Sequence, residues 1–297
     1  MKFSKTTIAI IGVIISALLG ALMGVFSRQL ATHFELFQQI GLRATTGALI
    51  GLLFYSSRIN FSNIKKIGRK DLFLILIRSW SVLIGIGLFT YAINNGNFAN
   101  VNFIYSLPTT AILGFILLKE KVTWQKILII VLGFFGVALI SVKDFSNLGN
   151  FSVPEIAAFV STFFYSFAYI TRKWFSPLLN NQELTILGSF NSGITALTIS
   201  LLIGNGLFAY PTTSLDLFII IIAAGISFIV MGYFNNYGFE HLTAVAFNNL
   251  MATTAVFGLL ISVLYYKEIP TVINFVGGIL VVISAILINY ADKKTLK

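Results

Sequence analysis

The stretch Leu107–Ser141 constrains this chain more than any other. It is an apolar run carrying Pro108, a charged hinge at Lys119-Glu120-Lys121, and a second apolar run carrying Gly133 and Gly136. Met251–Ala285 repeats the pattern. Thr253-Thr254-Ala255 and Gly258 stand for Thr109-Thr110-Ala111 and Gly114, Lys267-Glu268 for Lys119-Glu120, and Gly277 and Gly278 for the later glycine pair. The copies lie 144 positions apart at Thr-Thr-Ala and 148 apart at Lys-Glu. A period near half the chain length indicates a doubled unit.

The apolar runs of about 20 residues are each long enough for a bilayer-spanning helix. Only 10% of the 297 residues are charged and 57% are hydrophobic, with a mean hydropathy of +0.90. A soluble domain carries roughly 25% charged residues. The short alternating segments of a membrane β-barrel are absent. The expected fold class is therefore an all-α polytopic membrane protein. The N-terminal apolar run, Thr6–Phe26, exceeds a signal-peptide core and reads as an uncleaved first span.

Ten spans are expected, at roughly 7–26, 36–55, 72–93, 98–118, 123–142, 153–172, 183–203, 215–237, 243–265 and 270–290. With the N-terminus inside, the inner loops and ends collect 15 of the 20 Lys and Arg residues. The outer face holds only Arg28, Lys143 and Lys267, so both termini are expected in the cytoplasm. This clustering makes nucleic acid an unneeded explanation for the net charge of +10. Five spans per unit is odd, so the second unit enters the membrane from the opposite side. Two inverted five-helix halves, 1–146 and 147–297, are expected. In secondary transporters so built, the substrate site lies near the midplane between the halves.

These features resemble the drug/metabolite transporter superfamily, and within it the ten-helix EamA-type branch. The residues that carry the resemblance are Pro108, Glu120, Gly133 and Gly136 in one half and Glu268, Gly277 and Gly278 in the other. Two departures are visible. Lys119 and Lys267 stand where the family often has Gly before Glu, and the second half lacks a proline matching Pro108. The resemblance implies a central cavity and alternating access to it. It also implies a small-metabolite cargo such as an amino acid or organic anion, and makes Pro108 a plausible hinge, with a static kink as the alternative.

Candidate site residues follow from the cost of polarity at membrane depth. Arg78 lies seven residues inside a span that begins near Asp71, roughly 10 Å along the helix. Arg43 is about as deep in the second span. Such charges either face a cavity or a partner, or snorkel to headgroups. The amides Asn102, Asn191, Asn248 and Asn249 should face the bundle interior, either bonding neighbouring helices or lining a path. Trp80, Tyr91 and Tyr105 are expected to supply an aromatic wall. Glu120 and Glu268 read chiefly as caps starting the next helix. The glycine pairs read as close helix packing.

No span carries Asp or Glu at its middle, so a carboxylate proton relay is unsupported and the interior should favour neutral, zwitterionic or anionic solutes. His33 and His241 lie in different hairpins, so no metal site is expected, and no motif calls for a cofactor. The expected partners are a small-molecule solute and the lipid bilayer. The competing readings are a membrane-embedded enzyme acting on a lipid-linked substrate, which lacks a visible nucleophile–base pair, and a non-transporting scaffold.

Overall fold

The computed structural model describes residues 3–96, 101, 104–141, 152–207, 215–265, 267 and 269–295. Among the described residues there is no strand. The helices are α1 Lys5–Leu30, α2 Leu36–Phe54, α3 Phe61–Lys65, α4 Arg69–Asn95, α5 Thr109–Leu117 and α6 Trp124–Ser141. They continue with α7 Val153–Ile170, α8 Asn181–Leu202, α9 Leu215–His241, α10 Ala244–Met251, α11 Thr254–Leu264 and α12 Val272–Thr295. Starts are set by local side-chain chemistry. Ser4 caps α1, accepting the Thr7 amide at 3.1 Å. Glu155 accepts the Ser152 amide at α7, and Asn180 exchanges such bonds with Glu183 at α8.

Among the described residues, eight segments are long and apolar enough to cross a membrane, rather than the ten expected. Two explanations cover the difference. α2 is a helix of 19 residues, but Gln38, Gln39 and Arg43 lower its hydropathy. The 98–118 segment includes residues outside the described set, and its continuous helix is only Thr109–Leu117.

The exterior is apolar, and the interior sets polar side chains among apolar ones. Leu53 and Phe54 are each 77% exposed, whereas Gln38, Gln39, Arg43, Ser161 and Asn236 are buried. That inversion suits a lipid solvent, in which polar groups must find partners inside the protein.

Helix pairs form across the chain: α1 on α9, α4 on α7, α2 on α8, α6 on α12, α5 on α7, and α10 and α11 on α1. If spans are counted in order and each is exchanged for its counterpart in the other half, the set of pairs maps onto itself. Small residues permit the closest crossings. A Cβ on Gly136 would sit 2.7 Å from the Gly277 carbonyl, and one on Gly277 would sit 2.5 Å from the Gly136 carbonyl. Gly47 and Gly225 make the equivalent backbone approach between α2 and α9. Gly278, beside Gly277, has open space where its Cβ would be.

Two helix breaks occupy corresponding positions. The chain turns through Ser106–Pro108 before α5, with the Thr109 amide donating to the Leu107 carbonyl at 2.8 Å. The interruption between α10 and α11 is milder: Ala252 and Thr253 keep right-handed helical dihedrals and the ladder tightens there, with the Thr253 amide donating to the Leu250 carbonyl at 3.1 Å. Lys119 and Lys267 also correspond. Both adopt positive φ, 53° and 58°, the left-handed region that glycine enters without penalty.

Candidate functional site

Arg43 and Arg78 both point inward, but they are held differently. Arg43, 3% exposed on α2, donates from Nε to the Gln39 carbonyl at 3.2 Å and from a terminal nitrogen to the Ser27 hydroxyl of α1. It thereby joins two helices and bonds a carbonyl of its own preceding turn. Arg78 on α4 donates one terminal nitrogen to the Asn236 carbonyl oxygen of α9, while its other terminal nitrogen is buried without a partner.

Behind Arg78 runs a chain of buried hydrogen bonds. The Asn236 amide donates to the Thr185 hydroxyl at 2.8 Å, and that hydroxyl donates to the Asn181 carbonyl at 2.6 Å. The Asn181 side chain donates to Glu240 at 2.6 Å and accepts from Arg172 Nε at 2.7 Å. Arg172 and Glu240 close the chain as an ion pair at 3.1 Å. One network thus runs from mid-span on α4 to the ends of α7 and α9. In the sequence Asn236 is one amide among many and Arg172 one cation at the end of a span.

Beside the arginines lies an aromatic line. Tyr105 packs 4.4 Å from Phe89 and 5.5 Å from Tyr165, centroid to centroid. Tyr165 stacks towards Tyr169 at 6.3 Å, and Tyr169 meets Phe247 at 5.1 Å and Phe239 at 5.9 Å. Gly85 gives Tyr165 room against α4. Tyr165 lies within electrostatic reach of Arg43, and Tyr169 within reach of Arg78. The sequence signal for these tyrosines was the i, i+4 series Ser161, Tyr165, Tyr169 on one face of α7.

The structure corrects the aromatic wall expected of Trp80 and Tyr91. They are 49% and 41% exposed and fall on one outward stripe of α4 with Phe73 and Ile84, at seven- and four-residue spacing. Of that expected trio, Tyr105 alone is at the interior line. Asn191 is inward, with its Nδ2 buried and unpartnered. Asn249 donates to the Ile129 carbonyl at 3.4 Å, joining α10 to α6, with half-buried Asn248 beside it in the chain. Asn102 and Glu268 lie outside the described residues. Pro108 stands immediately before α5, at the break.

Glu120 is a cap, but not for the helix that follows it. Its Oε1 accepts the Ala244 amide at 2.7 Å, so it caps α10 in the other half of the chain. Three further acids bond groups near helix ends. Asp71 accepts from Ser176, Glu183 from Asn60 and Asn180, and Glu155 from Ser152. Among the described residues no group of His, Cys, Asp and Glu could hold a metal ion.

The EamA-like transporter family matches residues 7–142 and again residues 153–290. The chain belongs to the EamA-like transporter family. As an EamA-like chain it is a multi-pass membrane protein within the drug/metabolite transporter superfamily, whose members are transporters. Comparison with curated proteins gives no match. A crystal structure aligns over 100% of both chains at 13% identity and a TM-score of 0.79, which establishes likeness of fold.

Proposed function

We propose that this chain is a secondary transporter that moves a small metabolite across the cytoplasmic membrane by alternating access. In this reading ten spans form two inverted halves, 1–146 and 147–297, with both termini in the cytoplasm. The observation that carries it is the set of buried charged and polar groups beside helices interrupted at corresponding positions, by a turn at Ser106–Pro108 and by a tightened ladder at Ala252-Thr253. Discontinuous helices next to buried ionisable groups are how transporters build midplane sites. The symmetric pairing of helices across the halves supports the same architecture. The solute would meet Arg78, Tyr105, Tyr165, Tyr169 and Asn191, while Arg43 holds α2 to α1.

The chain contains no cysteine, so single cysteines can be placed in the natural background. Cysteine replacing Asn191 should react with membrane-impermeant maleimides from either side of sealed vesicles, in proportions that shift when a transported solute is added. Reaction from one side only, whatever the solute, would rule out alternation about that position. A membrane enzyme acting on a lipid-linked substrate would instead turn over material without moving it.

A further inference from the structure

We propose that the solute carries a single carboxylate and that Arg78 is the residue that receives it. This rests on the transporter reading above. Arg172 has Glu240 at 3.1 Å, whereas no carboxylate among the described residues lies within 4 Å of Arg78. Among the described residues its one hydrogen-bond partner is the neutral side-chain amide of Asn236, and its nearby charged neighbour, Arg172, has the same sign. A guanidinium at membrane depth with no counter-ion and one nitrogen unsatisfied is expensive, and an anion is the partner that offsets most of that cost. The acids that could have supplied it are occupied: Glu240 by Arg172 and Asn181, Glu183 by backbone amides, Asp71 by Ser176.

Arg43 does not compete for this role. Its Nε and one terminal nitrogen are already engaged by the Gln39 carbonyl and the Ser27 hydroxyl. Arg78 is also aimed in advance, because Asn236 is fixed by Thr185, and Thr185 by Asn181. One free guanidinium edge matches a monovalent carboxylate better than a phosphate dianion, whose second charge would find no partner. Tyr169 and the aromatic line beside it offer the apolar body of such a solute a surface to lie on.

The test uses the purified full-length protein in detergent and a panel of aliphatic, aromatic and amino-acid carboxylates, each paired with its neutral amide, plus quaternary ammonium compounds. Binding to the folded state raises the unfolding midpoint. At least one carboxylate should raise it saturably while its amide does not. Arg78→Gln should weaken that carboxylate by at least about tenfold, and Arg78→Lys should retain part of the binding. Asn236→Asp guards against misfolding of the Arg78 variants, because it gives Arg78 an internal counter-ion. It should keep or raise the midpoint of the empty protein and abolish the carboxylate shift.

Equal shifts by acid and amide, shifts by the cations alone, or a carboxylate shift surviving both Arg78→Gln and Asn236→Asp would each overturn the proposal. So would a panel in which no carboxylate shifts the midpoint. Uptake of amides or cations into proteoliposomes would then still uphold the transporter reading, which separates the two failures.

Discussion

Replacing Glu120 tests whether one carboxylate joins the two halves of the chain. Glu120 Oε1 accepts the amide of Ala244, the first residue of α10, at 2.7 Å. Ala244 is fully buried, so water cannot take over as acceptor when the carboxylate is removed. Losing the bond strands a buried N–H, worth about 1–3 kcal/mol. Removing a negative charge from a helix N-terminus adds about 0.3–1 kcal/mol. Glu120→Ala should therefore destabilise by about 1–4 kcal/mol. Glu120→Gln keeps an acceptor at the same reach and should lose only the charge, about 1 kcal/mol or less.

Thr243 supplies an internal comparison. It caps the same eight-residue helix by accepting the Ala246 amide at 3.1 Å, so Thr243→Ala should cost about 1 kcal/mol. Once one cap is gone and the first turn of α10 frays, the other holds less, so the double variant should cost less than the sum. The assay is equilibrium unfolding in mixed detergent–SDS micelles, followed by circular dichroism. Equal large losses for Glu120→Ala and Glu120→Gln would refute this division between acceptor and charge, and losses under about 0.5 kcal/mol for both would show that the contact does not bear on stability.

Three further outcomes follow from the same geometry and can be read in the same assay. Adjacent glycines should respond with opposite sign. Gly277→Ala drives a Cβ into the Gly136 carbonyl and should cost about 1–3 kcal/mol, whereas Gly278→Ala meets open space and should gain about 0.5–1 kcal/mol. Lys119→Gly and Lys267→Gly should each stabilise by up to about 1 kcal/mol by relieving left-handed backbone, while Val at either position should destabilise. Ser166→Ala removes a hydroxyl that bonds both Thr109 and Thr110 at 2.8 Å, and should cost about 1–3 kcal/mol.

The doubling, most of the spans, the glycine crossings and the two buried arginines were legible in the sequence, because each rests on composition or spacing along one segment. The rotation of each helix was not. Inside a bilayer the outer face of α4 is as apolar as much of its inner face, so nothing in the pattern placed Trp80 and Tyr91 outward on the stripe with Phe73 and Ile84. Polar spacing was the better guide, and it lay on α7, where Ser161, Tyr165 and Tyr169 recur every fourth residue. Partners distant in sequence were invisible for a different reason. That Glu120 caps residue 244 and Asn236 holds Arg78 depends on which helices touch, and no single segment encodes that.

The helix breaks show how far a local rule reaches. Proline at 108 removes a donor and explains a break before Thr109 by itself. The matching break at Ala252-Thr253 has no proline, so the doubled architecture, and not the imino acid, is the common cause. What differs is how each break is held. Ser166 on α7 bonds both threonines that begin α5. At the corresponding crossing α1 presents Gly20, where a Cβ would sit 4.0 Å from the Thr254 hydroxyl, and which has no hydroxyl to offer. The break in the first half is therefore braced by a hydroxyl from a neighbouring helix, whereas at the second the Thr253 hydroxyl bonds only its own segment, donating to the Leu250 carbonyl at 2.6 Å. If the interior opens by bending one of these helices, the one at Ala252-Thr253, which lacks that interhelical brace, should move first. Gly20→Ser, adding a hydroxyl at that crossing, should slow the exchange between inward- and outward-open forms more than it changes solute affinity. An unchanged exchange rate with the hydroxyl bonded would show that the brace has no part in the motion.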